Sequence, residues 1–106
     1  MIAKTPSPPY YAVIFSSIRT EGDNCYSEMA GKMLELASKV DGFLGVESVR
    51  EELGITVSYW RDLGAIKKWK ENVEHKVAME KGKSEWYKSF KVRVAKVERD
   101  YGFGVE

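Results

Sequence analysis

The sequence predicts a single α+β domain, an antiparallel sheet of four strands with two helices on one face. Its 106 residues suit one domain with its own core. Four short stretches rich in β-branched and aromatic residues alternate with two stretches of helical period, in the order β-α-β-β-α-β. The strands are apolar on both faces, whereas two helices cover only one. Right-handed crossovers then give a ferredoxin-like fold, and the bare face predicts a homodimer that closes a dimeric α/β barrel.

The first elements follow an extended N-terminal lead-in. Pro6, Pro8 and Pro9 hold the backbone extended, so we assign residues 1–9 to the lead-in and 10–106 to the domain. Tyr10–Ile18 is the first strand. A helix capped by Asp23 then runs to about Val40. Its buried face is predicted from spacings of three and four: Tyr26, Met29, Ala30, Met33, Leu34, Ala37 and Val40.

The second half of the chain holds a hairpin, a helix and a closing strand. Phe43–Arg50 and Ile55–Arg61 are the hairpin strands. Asp62 caps a second helical stretch, and Gly82 is the predicted stop signal at its end. Phe90–Arg99 is the fourth strand.

Composition excludes several classes of function. The formal net charge of +1 gives no general attraction to nucleic acid or to an anionic membrane. No apolar run is long enough to span a bilayer, and the N-terminus lacks the basic and apolar regions of a signal peptide. With Cys25 as the only cysteine, an intrachain disulfide is impossible and a cytoplasmic location is expected.

No motif for a metal or cofactor is present. One cysteine and one histidine cannot form a structural zinc cluster, and the carboxylates have no recognisable ligand spacing. A Gly-rich phosphate loop, a nucleophile elbow and a paired-carboxylate arrangement are also missing. We therefore expect no metal and no cofactor, unless a cofactor is held by shape rather than by a motif.

His75 is the first candidate for chemistry, because histidine is the side chain whose ordinary pKa lies near neutrality. On a helix it shares a face with Ala78, Met79 and Gly82, which are three, four and seven residues further on. That face could border a cavity between helices and sheet. The alternative is a surface or capping histidine near a helix break.

Large aromatic side chains form the second candidate group. They could fill the core and an interface, or line a flat apolar pocket for an aromatic ligand. The group consists of Trp60, Trp69, Trp86, Tyr59 and Tyr87.

The stretch from Tyr59 to Phe103 resembles the antibiotic biosynthesis monooxygenase domain family, in particular its small stand-alone bacterial members. Three pieces carry the resemblance: Tyr59-Trp60-Arg61-Asp62, the spacing Trp69…His75…Gly82…Trp86-Tyr87, and Arg93-Val94-Ala95-Lys96-Val97-Glu98-Arg99. The resemblance implies a homodimeric barrel with a pocket inside each subunit, between helices and sheet. It also implies one of three activities: cofactor-independent oxidation of polycyclic aromatic substrates to quinones, haem degradation, or a non-oxidative reaction on small molecules.

The quinone-forming branch fits the sequence best. We therefore expect a cofactor-independent monooxygenase for a small aromatic or polycyclic substrate, with His75 as the catalytic base. The alternatives are a non-oxidative enzyme or binding protein on the same barrel, and a module whose own side chains fill the cavity. The substrate-binding residues predicted with the help of the resemblance are Trp69, Asn72, Tyr59, Met79, Trp86 and Tyr87.

The haem-degrading branch is disfavoured. Its pattern needs an Asn on the first strand, where this chain has Ser16 and Ser17. Trp69 matches the tryptophan of that pattern, but Met79 lies about where the iron-ligating histidine belongs. His75 comes about one turn too early.

Overall fold

A computed structural model describes residues 1–105, with every side chain among them except that of Val73. The strands pair antiparallel in the order β2-β3-β1-β4, which confirms the predicted ferredoxin-like arrangement. A π-helical turn, Gly82–Trp86, joins the last helix to the last strand. The elements are β1 (Tyr10–Arg19), α1 (Tyr26–Ser38), β2 (Phe43–Arg50), β3 (Gly54–Trp60), α2 (Leu63–Glu71), α3 (Val73–Lys81) and β4 (Tyr87–Val97).

The main core lies between the helices and strand β3. Trp60 is fully buried there, and it packs with Ala37 of α1 and Ala65 of α2. The Phe43 ring meets it edge-on at 5.3 Å, and the indole Nε1 donates a hydrogen bond of 2.9 Å to Ser58 Oγ. Both the apolar bulk of this tryptophan and its one polar atom are therefore satisfied.

The opposite face of the sheet carries no helix. Register places Ile14 of β1 beside Val57 of β3 on this outer face, where both are half-buried. The N-terminal lead-in reaches the same face, because the Ala3 amide donates a 2.9 Å hydrogen bond to Glu47 Oε2. Alternation along the strands thus gives the second apolar face that the sequence indicates.

Helix α1 begins two residues later than predicted. Cys25 is its N-cap, with a left-handed φ of 66°, and makes no capping hydrogen bond through its side chain. Asp23 still serves the first turn, because its Oδ1 accepts from the Ser27 amide at 3.3 Å and from Ser27 Oγ at 2.6 Å. The predicted cap at Asp62 is confirmed, since its Oδ1 accepts from the Ala65 amide at 2.8 Å.

The prediction that Gly82 ends the helix is confirmed, because α3 ends at Lys81 with Gly82 as its C-cap. Gly82 has right-handed helical angles, φ −57° and ψ −45°, and the chain continues through the π-helical turn to Trp86. A Cβ at this position would lie 3.1 Å from the Tyr87 ring. The glycine therefore allows close packing of Tyr87, the residue at which β4 begins, three residues before the predicted start.

Candidate functional site

Two apolar residues of β4 are exposed on the side of the sheet that faces the helices. Register pairs Val94 with Val13 and Val92 with Phe15, so these two β4 residues face the helices. They nevertheless remain 51% and 43% exposed. An apolar surface is therefore open to solvent along β4.

His75 lies at the start of α3, where the helical path breaks. Asn72 has an extended conformation, φ −61° and ψ 127°, and separates α2 from α3. Its side-chain oxygen accepts a 3.0 Å hydrogen bond from the His75 amide. Asn72 therefore acts as the N-cap of α3 and fixes the backbone that carries His75.

The His75 imidazole packs against the core through an aromatic stack. Its ring centroid lies 4.3 Å from that of Trp69, with a tilt of 40°. Trp69 in turn stacks on the buried Trp60 at 6.3 Å. Two tryptophans that come from α2 and β3 thus hold the imidazole in place.

Burial sets the protonation state of His75. Desolvation lowers its pKa below the ordinary value of 6.5, so the ring is neutral at neutral pH. Its Nδ1 is buried and has no hydrogen-bond partner among residues 1–105. A neutral imidazole with an unsatisfied buried nitrogen can accept a proton from a ligand, or pair with a ligand hydroxyl.

Tyr87 belongs to a second aromatic group on the helix-facing side of the sheet. Its ring lies 5.4 Å from Phe15, 5.8 Å from Phe90 and 5.8 Å from Tyr26. Burial and a hydrogen bond with Tyr26 raise the pKa of the Tyr87 phenol well above its ordinary value of 10. The hydroxyl therefore stays protonated and can act as a donor rather than as a base.

The structure brings some of the predicted site residues together. Trp69 and His75 are in contact, and Asn72 positions His75 through the backbone. Met79 is half-buried one turn further along α3. Trp86 is buried, and its Nε1 donates a 2.9 Å hydrogen bond to the Asn24 carbonyl.

Tyr59 is on the other side of the sheet, which corrects its assignment to the pocket. Neighbouring strand residues point to opposite faces, so Trp60 faces the helices and Tyr59 faces outward. Its hydroxyl donates a 2.5 Å hydrogen bond to Glu47 Oε1, and its ring lies 6.0 Å from Tyr10. Burial and the Glu47 carboxylate raise the pKa of Tyr59 to about 12.

Sequence reasoning missed the exposed apolar surface along β4. Val92 and Val94 share the helix-facing side of the sheet with Phe15, and the alternation of β1 and β4 holds the signal for them. That alternation places them on one face, but it does not reveal that the helices leave this face open.

Residues 1–105 hold neither a metal-binding cluster nor a membrane-spanning helix. No group of three or more His, Cys, Asp or Glu side chains in that part of the chain could hold a metal ion. None of the helices described is long and apolar enough to cross a membrane.

Comparison with known proteins gives a family. The family model for antibiotic biosynthesis monooxygenase matches residues 9–81. Protein YqjZ of Bacillus subtilis, described as uncharacterized, is 58% identical over 100 residues, which cover 92% of this chain and 88% of YqjZ.

Solved structures share the fold at low sequence identity. Rv0793 from Mycobacterium tuberculosis superposes with a TM-score of 0.75 at 11% identity, over 89% of this chain and 99% of Rv0793. A mutant of SnoaB from Streptomyces nogalater, described as a cofactor-independent oxygenase, superposes with a TM-score of 0.74 at 7% identity, over 86% of this chain and 95% of SnoaB. Together with the family match, these likenesses confirm the resemblance that the motifs indicate: the chain belongs to the antibiotic biosynthesis monooxygenase family.

Proposed function

We propose that this protein is a cofactor-independent monooxygenase that oxidises a small aromatic or polycyclic phenol, with His75 as the base. The observation that carries the proposal is the neutral His75 imidazole, packed on Trp69 with an unsatisfied Nδ1. Family membership supports an oxygenase, and SnoaB supports one that works without a cofactor.

The reaction balances with molecular oxygen as the only co-reactant. An anthrone-type substrate transfers one proton of its methylene group to His75, and the resulting anion is electron-rich enough to reduce oxygen. Two C–H bonds of the substrate methylene and the O–O bond break, while a C=O bond and one molecule of water form. Each turnover thus consumes one molecule of oxygen, and the proton taken up by His75 leaves with the water.

The protein supplies binding, a base and the exclusion of water. We place the substrate in a cleft between the helices and β4. There Trp69 offers a flat aromatic wall beside the imidazole, and the exposed Val92 and Val94 offer an apolar floor. An aromatic substrate between these surfaces displaces water from the neighbourhood of His75. The lower dielectric then strengthens the interaction between the substrate anion and the imidazolium.

A homodimer is part of the same proposal. Members of this family are commonly homodimers. In this chain the outer face of the sheet carries half-buried Ile14 and Val57 without a covering helix, so a second copy is the partner that fits. We also propose a cytoplasmic location, which the single exposed thiol of Cys25 supports.

Oxygen uptake with an anthrone bearing two phenolic hydroxyls tests the proposed activity. We expect about one oxygen consumed per anthrone, with a quinone as the product, after treatment of the protein with a chelator. Trp69→Ala should raise KM by about 10-fold, because it removes the aromatic wall. Tyr59→Phe is the matched control, because it changes an aromatic residue on the opposite face.

The outcomes separate the functions. Oxygen uptake no faster than in the absence of protein would contradict the monooxygenase proposal. Binding of the anthrone without oxygen uptake would assign the protein as a non-oxidative binder. An equal rise in KM in Trp69→Ala and Tyr59→Phe would contradict the proposal that the substrate binds in the cleft beside Trp69.

A further inference from the structure

A second cleft lies at the hairpin end of the sheet, under the first turns of α1. Its volume is about 310 Å³. Trp60, which supports the Trp69–His75 stack, is four residues from Thr56 along β3, or about 13 Å at the rise of a strand. The second cleft is therefore distant from Trp60 along β3, although Thr56 at its edge pairs with Phe15 of β1. It is lined by Tyr26, Ser27 and Ala30 from α1 and by Ser48, Arg50 and Thr56 from the hairpin.

The Arg50 guanidinium is fixed in this cleft by neutral groups. It donates hydrogen bonds to the hydroxyl of Ser17 and, at 3.4 Å, to the Ser17 carbonyl. Ser17 is only 1% exposed, so the anchor is buried. A Cβ on Gly54 would overlap the guanidinium, so glycine leaves the space in which Arg50 lies. The buried hydroxyl of Ser17 and the lack of a side chain at Gly54 together position Arg50.

The charge of Arg50 has no counter-ion among residues 1–105. The ion pairs among residues 1–105 use other cations, and no carboxylate in that range lies within 4 Å of the Arg50 nitrogens. Guanidinium has five N–H donors, and Ser17 occupies part of them. A fixed cation with free donors at the edge of a cleft is an attractive site for an anion.

The other lining groups fit an organic anion with one negative charge. Ser48 and Thr56 are paired across β2 and β3, so their hydroxyls share the face that carries Arg50. Ser27 is already engaged, because its hydroxyl donates to Asp23 at 2.6 Å. The Tyr26 ring and Ala30 provide an apolar wall.

A second cation lies behind this wall. The Arg19 guanidinium stacks on the Tyr26 ring at 3.7 Å and donates to the Gly22 carbonyl at 3.2 Å. It makes the region more positive, but Arg50 is the one charged side chain among the lining residues.

We propose that this cleft binds the carboxylate of a small organic acid, held bidentately by Arg50. The planar guanidinium fork matches a carboxylate, and Ser48 and Thr56 can donate further hydrogen bonds. The hydrocarbon part of the acid packs on Tyr26 and Ala30. A single lining charge balances a carboxylate, whereas a phosphate dianion calls for more than one. This proposal does not depend on the oxygenase activity.

Binding of benzoate to the full chain, followed by amide shifts in NMR, tests the proposal. We expect saturable shifts centred on Arg50, Ser48 and Thr56, and none with benzamide, the neutral analogue of similar shape, or with inorganic phosphate. Arg50→Gln should weaken benzoate binding by about 10-fold or more. Arg99→Gln makes the same change of charge at an exposed arginine beyond β4 and should leave the affinity unchanged.

Gly54→Ala is the second variant, because it keeps the charge of Arg50 and displaces its guanidinium. It should also weaken benzoate binding by about 10-fold or more. Several outcomes would overturn the proposal: no saturable binding of benzoate, equal binding of benzamide, stronger binding of phosphate, or an affinity that Arg50→Gln leaves unchanged.

Discussion

His75→Gln should lower kcat for anthrone oxidation by about 10²–10⁴-fold, the range in which a positioned base contributes to catalysis. Glutamine is polar and of similar length, but it cannot accept the substrate proton as imidazole does. Because Trp69 still provides the aromatic wall, KM should change by less than kcat. Steady-state oxygen uptake by the wild-type and variant proteins measures both quantities.

The pH dependence of the wild-type rate has a definite sign. Burial lowers the pKa of His75 below 6.5, and only the neutral ring accepts a proton. The rate should therefore be constant near pH 7 and fall as the pH decreases through the lowered pKa. The acidic limb should be missing in His75→Gln. A residual rate that keeps this limb in the variant would assign the base to another group.

Trp60→Ala should lower the free energy of unfolding by about 3–5 kcal/mol. Trp60 is fully buried, and it joins Phe43, Ala37 and Ala65 in the core. Truncation to alanine leaves a large cavity and leaves Ser58 without its indole donor. Because Trp69 stacks on Trp60, the same change should also loosen the support of His75.

Chemical denaturation of the wild-type protein and the variant measures this loss. Leu34→Ala is a suitable control. Because Leu34 is 47% exposed on α1, its truncation should lower the free energy of unfolding much less. Equal losses in Trp60→Ala and Leu34→Ala would contradict the position of the core.

The fold could be predicted because its signals are local. The Asp62 cap and the bounds of Phe43–Arg50 are confirmed, since a capping carboxylate and a run of strand residues act within a few positions of the sequence. The end of α3 at Gly82 is confirmed for the same reason. The close approach of Gly82 to the Tyr87 ring has no such local signal in the sequence.

The candidate site could be predicted only in part. Trp69 and His75 are six residues apart, a spacing that puts them on different faces of one continuous helix. The helix break at Asn72 brings their rings together, and the sequence did not specify its geometry. The assignment of Tyr59 to the pocket rested on its resemblance to family positions. Strand alternation instead puts Tyr59 on the face opposite to Trp60. The contact of Arg50 with Ser17 spans 33 residues and depends on the sheet register, which no local pattern specifies.

The ring resonances of the histidine provide the most direct measurement, because His75 is the only histidine in the chain. An NMR titration of its ring carbons gives the pKa, first in the free protein and then with a non-oxidisable polycyclic phenol. If the cleft beside Trp69 is the site, the free protein gives a pKa below 6.5, and the phenol shifts the ring resonances in a saturable manner. A pKa of 6.5 or above, with resonances that the phenol leaves unchanged, would contradict the assignment of His75 as the base of this site.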